Sequence, residues 1–457
     1  MSQPSLEQHL ALWLDQELTP RPLLLGFSGG LDSLVLLTLL ARLIHERPGY
    51  SLQACHVHHG LNPKADGWAL HCQQVCAQLQ VPCEVVRVKV QLGNRMSLEA
   101  QARIARYQAL AERLAPGGAL VTAHHEDDQL ETLLLALKRG AGPRGLAAMP
   151  ARQPFASKLL DGELLRPLLT VSRAQLAAWA AHEKLEWVED ESNQDERFDR
   201  NFLRSRILPL LRERWPSYAA TARRSSELCA EQERLCQELA SSDLQQCQAA
   251  DGSLTLASVG ALSLPRRHNL LRHWLRELSG QVPSREQLLQ IWPQLVQARA
   301  DATPLLHWQG GDLRRYAGRL YLVPHQFPEL PACLPLTLEA GQVTLADGRL
   351  CRWQVQPWNG TTSGQWLRLP QVSEAMSLRF GAVGSLRARP LGRQGSRELK
   401  KLWQEYEVAP WLRGRVPLLF YGEELVAALG YFVCQGFTAV PETVALQLQL
   451  QWGLLPE

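Results

Sequence analysis

The chain has 457 residues, of which 46% are hydrophobic and 20% are charged, and its formal net charge is +3. This composition is that of a globular protein, because a disordered chain would hold fewer apolar residues and carry a larger net charge. We expect neither a membrane span nor a secretory signal. No apolar run approaches the roughly 20 residues that cross a bilayer, and no basic segment precedes an apolar core at the N-terminus.

The first 215 residues alternate β-rich runs with runs of helical periodicity. The sequence predicts strands over 23–27, 51–57, 83–90 and 119–123, and helices over 32–44, 65–79, 97–114 and 126–138. Repeated strand-then-helix units predict an α/β domain with a doubly wound, mostly parallel sheet. In such a domain, ligands bind at the carboxyl ends of the strands.

Beyond this first domain, over 1–215, the composition changes. A helical run rich in Glu, Gln and Ala is followed by more helices and a short β segment, which predicts a small helical domain over 216–325. Four prolines then indicate a linker and the start of the C-terminal region over 326–370. Strands between Gly and Pro predict a small α+β domain over 371–457.

The ten cysteines form no disulfide framework, and the chain has no Cys-x-x-Cys pair. Cysteines spread in this way are typical of a reduced, cytoplasmic protein. Cys72 and Cys76 lie one helical turn apart, which is more typical of apolar helix positions than of a metal site. We therefore expect a cytoplasmic location, with neither zinc nor an iron–sulfur cluster.

A Ser/Gly-rich turn, Ser-Gly-Gly-Leu-Asp-Ser over 28–33, joins the first predicted strand to the first predicted helix. Backbone N–H groups and the helix dipole converge at such a turn and form a cradle for phosphate. The Walker pattern is not matched, because no Gly-Lys-Ser/Thr closes the turn. A tight strand–helix connection is the structural alternative, but Asp32 favours a site that holds Mg²⁺ or orients a nucleotide.

Polar residues also follow the second and fourth predicted strands, at His58 and from His124 onwards. Asp128 and Glu131 are three positions apart on the helix that begins there, so they share a helix face. Such a pair can bind an ammonium group, hold a metal ion or act in acid–base catalysis. The alternative is a charged first turn that complements the helix dipole. A hydrolytic metal centre is disfavoured, since it would leave the turn over 28–33 unexplained. Its ligands would be His56, His58, His59, His124 and Asp127.

The turn over 28–33 resembles the pyrophosphatase loop of the PP-loop, or N-type ATP pyrophosphatase, superfamily. Within it, the chain resembles the tRNA(Ile)-lysidine synthase family in further stretches that keep the family's order and spacing. These stretches are 58–61, 65–66, 99–107, 124–132, 139–146, 166–169, 190–193, 200–204 and, near the C-terminus, 399–419. The middle domain contributes little to the resemblance.

The resemblance implies an adenine nucleotide α-hydrolase-like fold for 1–215 and the family's ligase reaction. In that reaction ATP adenylates the C2 carbonyl oxygen of the wobble cytidine in a tRNA(Ile) with a CAU anticodon. The ε-amine of free L-lysine then displaces AMP, and codon specificity changes from AUG to AUA. Expected ligands are therefore ATP, Mg²⁺, L-lysine and this tRNA, while the sequence leaves open whether the chain forms a homodimer.

The resemblance also implies site residues. The expected catalytic residues are Asp32, Asp128, Glu131 and Arg204. The expected ATP-binding residues are Ser28, Gly29, Gly30, Leu31, Asp32, Ser33, His58 and His124. Asp32 would hold Mg²⁺, and Asp128 and Glu131 would bind the lysine amine, with one of them accepting its proton.

Two segments concentrate positive charge and are the expected tRNA contacts. Residues 197–214 hold six Arg against two acidic residues, and residues 379–415 hold nine Lys or Arg against three Glu. The expected tRNA-binding residues are Arg200, Asn201, Arg204, Arg389, Lys400, Lys401, Arg413 and Arg415. An ion pair within a helix is the structural alternative for the arginines near 200. Trp403, Tyr406 and Trp411 suit either base stacking or the core of the small domain.

Two other functions fit part of the sequence. A PP-loop tRNA thiolase would share the turn over 28–33, but the missing Cys-x-x-Cys pair and the acidic Asp128/Glu131 pair count against it. A catalytically silent RNA-binding relative would not need to keep these residues. Incorporation of lysine into tRNA would distinguish the three functions.

Overall fold

The structure, a computed structural model, describes residues 5–60, 62–89, 98–156, 161–191, 195–297, 304–308, 310–360, 364–382 and 384–451. The chain divides into two compact units, Met1–Arg234 and Leu235–Glu457. The first residue of the helix predicted over 97–114 and the last residue of the strand predicted over 83–90 lie outside the described residues. No helix among the described residues is long and apolar enough to cross a membrane.

The first unit is built on a six-stranded sheet. Its strands are β1 (Pro22–Gly26), β2 (Ser51–His58), β3 (Cys83–Arg87), β4 (Ala119–Val121), β5 (Arg152–Ala156) and β6 (Asp161–Leu165). They follow the order β3-β2-β1-β4-β6-β5, and every neighbouring pair is parallel except β5 with β6. The predicted mostly parallel sheet is confirmed. The strand order reverses beside β1, and such a reversal opens a crevice for ligands.

The helices of the first unit cover both faces of this sheet. They are α1 (Leu6–Leu12), α2 (Leu31–His45), α3 (Ala65–Gln78), α4 (Leu98–Ala111), α5 (Glu126–Lys138), α6 (Pro143–Leu146), α7 (Arg173–His182), α8 (Asp199–Phe202) and α9 (Leu208–Arg214). Two π-helical turns, Trp13–Glu17 and Leu203–Ile207, follow α1 and α8. Helix α10 (Tyr218–Cys247) crosses the boundary between the two units.

Helix α2 is buried over most of its length, because all its residues from Leu34 to Leu40 except Thr38 are apolar. All residues from Ser33 to Leu40 are buried, where the helix packs against β2, α1 and α7. A helix that is hydrophobic all round belongs in a core, and each buried leucine contributes about 1.5–3 kcal/mol. This packing fixes the start of α2 at the carboxyl edge of the sheet.

The second unit begins with helices and a small antiparallel sheet. Its elements are β7 (Leu254–Thr255), α11 (Leu256–Ala261), α12 (Leu264–Ser279), α13 (Arg285–Ile291), β8 (Leu305–Trp308), β9 (Gly311–Tyr316) and β10 (Arg319–Val323). A further π-helical turn, Trp292–Val296, follows α13. The strands follow the order β7-β10-β9-β8, and the core around Trp274 lies between them and the helices.

The rest of the second unit is mostly β structure. It contains β11 (Cys333–Pro335), β12 (Gly341–Thr344), β13 (Leu350–Trp358), β14 (Gln365–Leu367), β15 (Met376–Arg379), β16 (Arg387–Ala388), β17 (Arg397–Glu398), α14 (Leu399–Glu405), β18 (Leu418–Tyr421), β19 (Glu424–Ala428), β20 (Phe432–Val433) and β21 (Thr443–Gln451). Three sheets follow the orders β11-β15-β18-β19-β20, β12-β13-β21-β14 and β16-β17.

The range predicted as a linker and the start of the C-terminal region, 326–370, holds four of these strands. β13 pairs with β21 along its whole length, and β11 pairs with β15. Residues from β11 to β14 therefore belong to the same sheets as the C-terminal strands and do not form a linker. The prolines that suggested a linker lie before β11 or at a strand end, where a missing N–H is tolerated.

Candidate active site

The turn between β1 and α2 brings two serine hydroxyl groups close to the start of a helix. Gly29 has a φ of +83°, and a Cβ atom there would lie 2.9 Å from Sγ of Cys72 on α3. A side chain is therefore excluded twice, by the backbone conformation and by the close approach. Ser33 Oγ donates to the carbonyl oxygen of Gly30 at 3.0 Å and lies 3.0 Å from Ser28 Oγ. The hydroxyl groups of Ser28 and Ser33 thus lie beside the first turn of α2. Leu31 is the first residue of this helix.

Asp32 lies in the first turn of α2, at the same edge of the sheet. Burial would raise the pKa of this carboxyl, but its hydrogen bond with His125 and the surrounding positive charges outweigh burial, so the pKa is lowered. Its Oδ1 atom is buried and has no hydrogen-bond partner among the described residues. A buried carboxylate oxygen without a partner is costly, which suits an oxygen that receives a cation when substrate binds.

His125 connects Asp32 to the start of α5. Its ring Nε2 lies 3.5 Å from Oδ2 of Asp32 and 3.5 Å from Oδ2 of Asp128. Its backbone N–H donates to Asp128 Oδ2 at 3.0 Å, and its Nδ1 accepts from the Asp128 N–H at 3.4 Å, which caps the helix. Burial would lower the pKa of His125, but its hydrogen bond with Asp32 and the nearby carboxylates raise it. The sequence alone predicted no role for His125.

Asp128 and Glu131 are brought together with Arg204, which lies in the π-helical turn Leu203–Ile207. Arg204 Nε donates to Glu131 Oε1 at 2.8 Å, and its Nη2 donates to Glu131 Oε2 at 3.1 Å. The same Nη2 lies 3.4 Å from Asp128 Oδ1. Glu131 is fully buried, and burial raises its pKa although Arg204 acts in the opposite direction. Arg204 therefore joins two segments that are far apart in the sequence. It does not form the ion pair within one helix that was the structural alternative.

The two histidines expected to bind ATP end the strands on either side of β1. His58 is the last residue of β2, and its Nε2 lies 3.3 Å from Oδ1 of Asp66. His124 follows β4, with Nδ1 at 2.9 Å from Thr122 Oγ1. Burial lowers the pKa of His124 to about 3; Asp128 opposes this shift, and nearby arginines including Arg200 add to it. The imidazole of His124 is consequently neutral at physiological pH.

Ion pairs hold the segment over 195–214 against α5. Besides the Arg204–Glu131 pair, Lys138 Nζ lies 2.7 Å from Asp199 Oδ2, and Arg212 contacts Asp127. Asn201 donates from Nδ2 to the carbonyl oxygen of Asp195 at 3.0 Å. These contacts place Arg200, in α8, near enough to Glu131 to lower its pKa.

The basic residues of the second unit divide into exposed and structural groups. Arg389, Lys400 and Lys401 are exposed. Arg413 donates from Nε to the carbonyl oxygen of Val408 at 3.1 Å. Arg415 is only 14% exposed and pairs with Asp347 at 2.8 Å.

The aromatic residues near these charges divide similarly. Trp403 is buried in the core beside Phe432. Trp411 packs edge-on against Tyr316 and Tyr321. Tyr406 is 37% exposed, so it is the most accessible of the three for stacking on a base.

Three family models match the chain. The PP-loop domain matches residues 3–211, the TilS substrate binding domain matches residues 254–321, and the TilS substrate C-terminal domain matches residues 376–452. Among solved structures, the U34-tRNA thiolase of Methanococcus maripaludis with its 4Fe-4S cluster is 19% identical, with a TM-score of 0.41, over 49% of this chain and 78% of that chain. At this level the likeness does not bear on fold or function.

Curated relatives match nearly the whole chain. The tRNA(Ile)-lysidine synthase of Shigella flexneri is 47% identical over 423 residues, which are 92% of this chain and 94% of the relative. The tRNA(Ile)-lysidine synthase of Escherichia coli O157:H7 is 47% identical over 427 residues, again with 92% and 94% covered. With this identity over almost its full length, and with all three domain models in order, the chain belongs to the tRNA(Ile)-lysidine synthase family.

Proposed function

We infer that this chain, as a member of that family, uses ATP to form lysidine on tRNA(Ile), and we propose which residues carry the reaction. In the proposed course, ATP adenylates the C2 carbonyl oxygen of the wobble cytidine in a CAU anticodon. The ε-amine of L-lysine then forms a C–N bond at C2, the C–O bond to AMP breaks, and the amine gives up a proton. The connection from Asp32 through His125 to Asp128 carries this proposal, because it joins a nucleotide site to an amine site.

The turn over 28–33 is the proposed binding site for the phosphates of ATP. The hydroxyl of Ser28 and the backbone N–H groups at the N-terminus of α2 offer hydrogen-bond donors to an anion, while the hydroxyl of Ser33 donates to Gly30. Asp32, whose Oδ1 lacks a partner among the described residues, is the proposed ligand for Mg²⁺. When bound, Mg²⁺ would offset the negative charge that develops as pyrophosphate leaves.

Asp128 and Glu131 are the proposed site for the amine of lysine. This amine has a pKa of about 10.4 in water, so it arrives as an ammonium ion and must lose a proton before it attacks. Asp128 is the more exposed of the two carboxylates, and we assign it the first contact with the ammonium group. Glu131 has a pKa raised by burial, which makes it the better proton acceptor.

Arg204 and Arg200 have different proposed roles. Arg204 uses Nε and Nη2 to hold Glu131, so its role is to position the acidic pair and offset its charge. Arg200 lies close to both Glu131 and His124, and we assign it the phosphate of AMP or of the anticodon loop.

The test is incorporation of radiolabelled lysine into an unmodified tRNA(Ile) with a CAU anticodon, with and without ATP. We expect label that depends on ATP, disappears when the wobble C is replaced by U, and disappears in Asp32→Ala. Asp15→Ala is the matched control, since Asp15 is an exposed aspartate paired with Arg47 outside the site. Turnover of ATP on the tRNA without entry of lysine would favour the thiolase function instead. No turnover of ATP at all would favour the silent RNA-binding relative.

A further inference from the structure

Three potential metal ligands meet at one end of the sheet β7-β10-β9-β8, in the second unit. His307 on β8 lies directly opposite Asp312 on β9, and Asp312 lies opposite Val323 at the end of β10. His325 follows two positions after Val323. Residues opposite each other in antiparallel strands share a face. The register therefore places His307 beside Asp312, and the segment that follows β10 brings His325 to the same carboxylate.

The distances are close to those of a metal site. His307 Nδ1 lies 2.6 Å and His325 Nδ1 lies 3.4 Å from the same Oδ1 atom of Asp312. A tetrahedral ion about 2.1 Å from each donor separates the donors by about 3.4 Å, so His325 and Asp312 already match. His307 would move by about 0.8 Å to match, and its side chain is 70% exposed, which leaves it room to move.

The carboxylate of Asp312 is held in a fixed orientation. Arg314 Nη2 donates to its second oxygen, Oδ2, at 3.1 Å, which leaves Oδ1 facing both imidazoles. Groups that hold a ligand by its other atom are a regular feature of metal sites. The positive charge of Arg314 also repels a cation, so the affinity should lie below that of a site with thiolate ligands.

We propose that His307, Asp312 and His325 form a binding site for one divalent transition metal ion, with Zn²⁺ or Co²⁺ as the class of ligand. Two imidazoles and one carboxylate favour these ions over Mg²⁺ and Ca²⁺, which prefer sites made of oxygen atoms. The ion would tie β8 and the segment after β10 to β9, so its role is to stabilise this sheet. The residues are five and thirteen positions apart, which matches no spacing typical of zinc motifs, so the sequence pattern does not reveal this site.

The test is titration of the full chain with Co²⁺ and then Zn²⁺, after treatment with a chelator and in millimolar Mg²⁺ that occupies oxygen-rich sites. We expect one equivalent of Co²⁺ to bind with a visible spectrum that lacks the ultraviolet band of thiolate ligands. His307→Ala and His325→Ala should each weaken this binding at least about tenfold, since even loss of an outer partner costs roughly 10–100-fold. Both side chains are more than half exposed, so both variants should fold.

The matched control is His182→Ala, which removes an exposed histidine that has one carboxylate neighbour, Glu183. It should bind Co²⁺ as the unmodified chain does. Zn²⁺ should also raise the Tm of the unmodified chain and of this control, but not of the two variants, because only a folded state that binds the ion gains stability. Equal affinity and equal stoichiometry in the unmodified chain and in both variants would overturn the proposal and leave a hydrogen-bonded His–Asp cluster.

Discussion

Glu131 is a fully buried carboxylate whose charge is balanced from a segment 73 residues away in the chain. Burying an ionised carboxylate costs several kcal/mol, and an arginine with two hydrogen bonds offsets much of this cost. The pKa of Glu131 is nevertheless raised, so burial outweighs the effect of Arg204. The site therefore holds a carboxylate with a raised pKa next to the place proposed for the amine.

Arg204→Met should destabilise the protein and change how its stability depends on pH. Without Arg204 the pKa of Glu131 rises further, because Arg204 is one of the groups that lower it. The folded state then binds a proton more tightly than the unfolded state, so the free energy of unfolding falls as pH rises from about 4.5 through the raised pKa. At neutral pH the loss should be about 2–4 kcal/mol, measured by urea unfolding.

The double variant Arg204→Met, Glu131→Gln separates stability from activity. It should regain most of the lost stability, since position 131 no longer holds a buried charge without a partner, but it should not regain lysine incorporation. An Arg204→Met variant whose stability has the same pH dependence as the unmodified chain would contradict this account of Glu131.

Asp128→Asn and Glu131→Gln should affect different kinetic constants. We expect Asp128→Asn to raise the KM for lysine, because Asp128 is assigned the first contact with the ammonium group. Glu131→Gln should lower kcat by roughly 10²–10⁴-fold, the range for loss of a general base. Single-turnover reaction of adenylated tRNA with lysine, followed across pH, measures both. An unchanged pH profile in Glu131→Gln would remove its assignment as the proton acceptor.

At the scale of elements, the site is made where two helices begin. α2 begins at Leu31 and α5 at Glu126, each after a four-residue connection from the preceding strand. His125 caps α5 and at the same time reaches Asp32 on α2. The side chain of His125 thus joins the two helix starts. It holds the turn over 28–33 at a fixed distance from Asp128 and Glu131.

Gly29→Ala should destabilise the protein more than the same substitution at another glycine with a positive φ. Gly117 is the matched control, because its φ is +70° but a Cβ there would meet nothing within 4 Å. Gly117→Ala should cost about 1–2 kcal/mol from the left-handed conformation alone. Gly29→Ala should cost more and should weaken ATP binding, since its Cβ would also press on Cys72. Urea unfolding and ATP titration measure the two effects, and equal costs at both positions would argue against the close approach.

The sequence predicted those elements that have strong local patterns. Helix α5 has the predicted bounds, and β1, α2, β2 and α3 differ from their predicted bounds by at most one residue at each end. By contrast, no element was predicted between residues 139 and 215, because β5, β6 and α7 lack clear alternation or an apolar stripe. Arg204 and Glu131 were both predicted as site residues, but their pairing with each other was not. Residues so far apart in the sequence become partners only when the chain folds, so no local sequence pattern indicates the pair.

At the scale of the whole molecule, the exposed positive charge of the C-terminal region remains the proposed tRNA contact. Lys400 and Lys401 lie in the first turn of α14 and are exposed. Arg415 instead pairs with Asp347, which also pairs with Arg349 at 2.7 Å. The same basic segment therefore holds residues that can meet phosphate groups and residues that hold the fold.

The double variant Lys400→Ala, Lys401→Ala should weaken tRNA binding and make it less dependent on salt. Each lost phosphate contact lowers the slope of log K against log salt by about 0.7–0.9, so the slope should fall by up to about 1.4–1.8. Arg415→Ala is the control, because it also removes a positive charge. It should lower the free energy of unfolding by roughly 1–3 kcal/mol and change the salt slope little. Filter binding of tRNA at several salt concentrations measures the slopes, and equal slopes in the double variant and the unmodified chain would exclude these lysines.

The close approach of Gly29, in the turn over 28–33, to Cys72 affects how the enzyme responds to oxidants. Burial raises the pKa of this thiol to about 12, so almost none of it is thiolate at physiological pH. Since the thiolate is the form that peroxides and alkylating reagents attack, Cys72 should stay unmodified while the exposed Cys236 reacts. A reactive thiol behind the proposed ATP site would expose that site to damage by oxidants, and the burial of Cys72 prevents this.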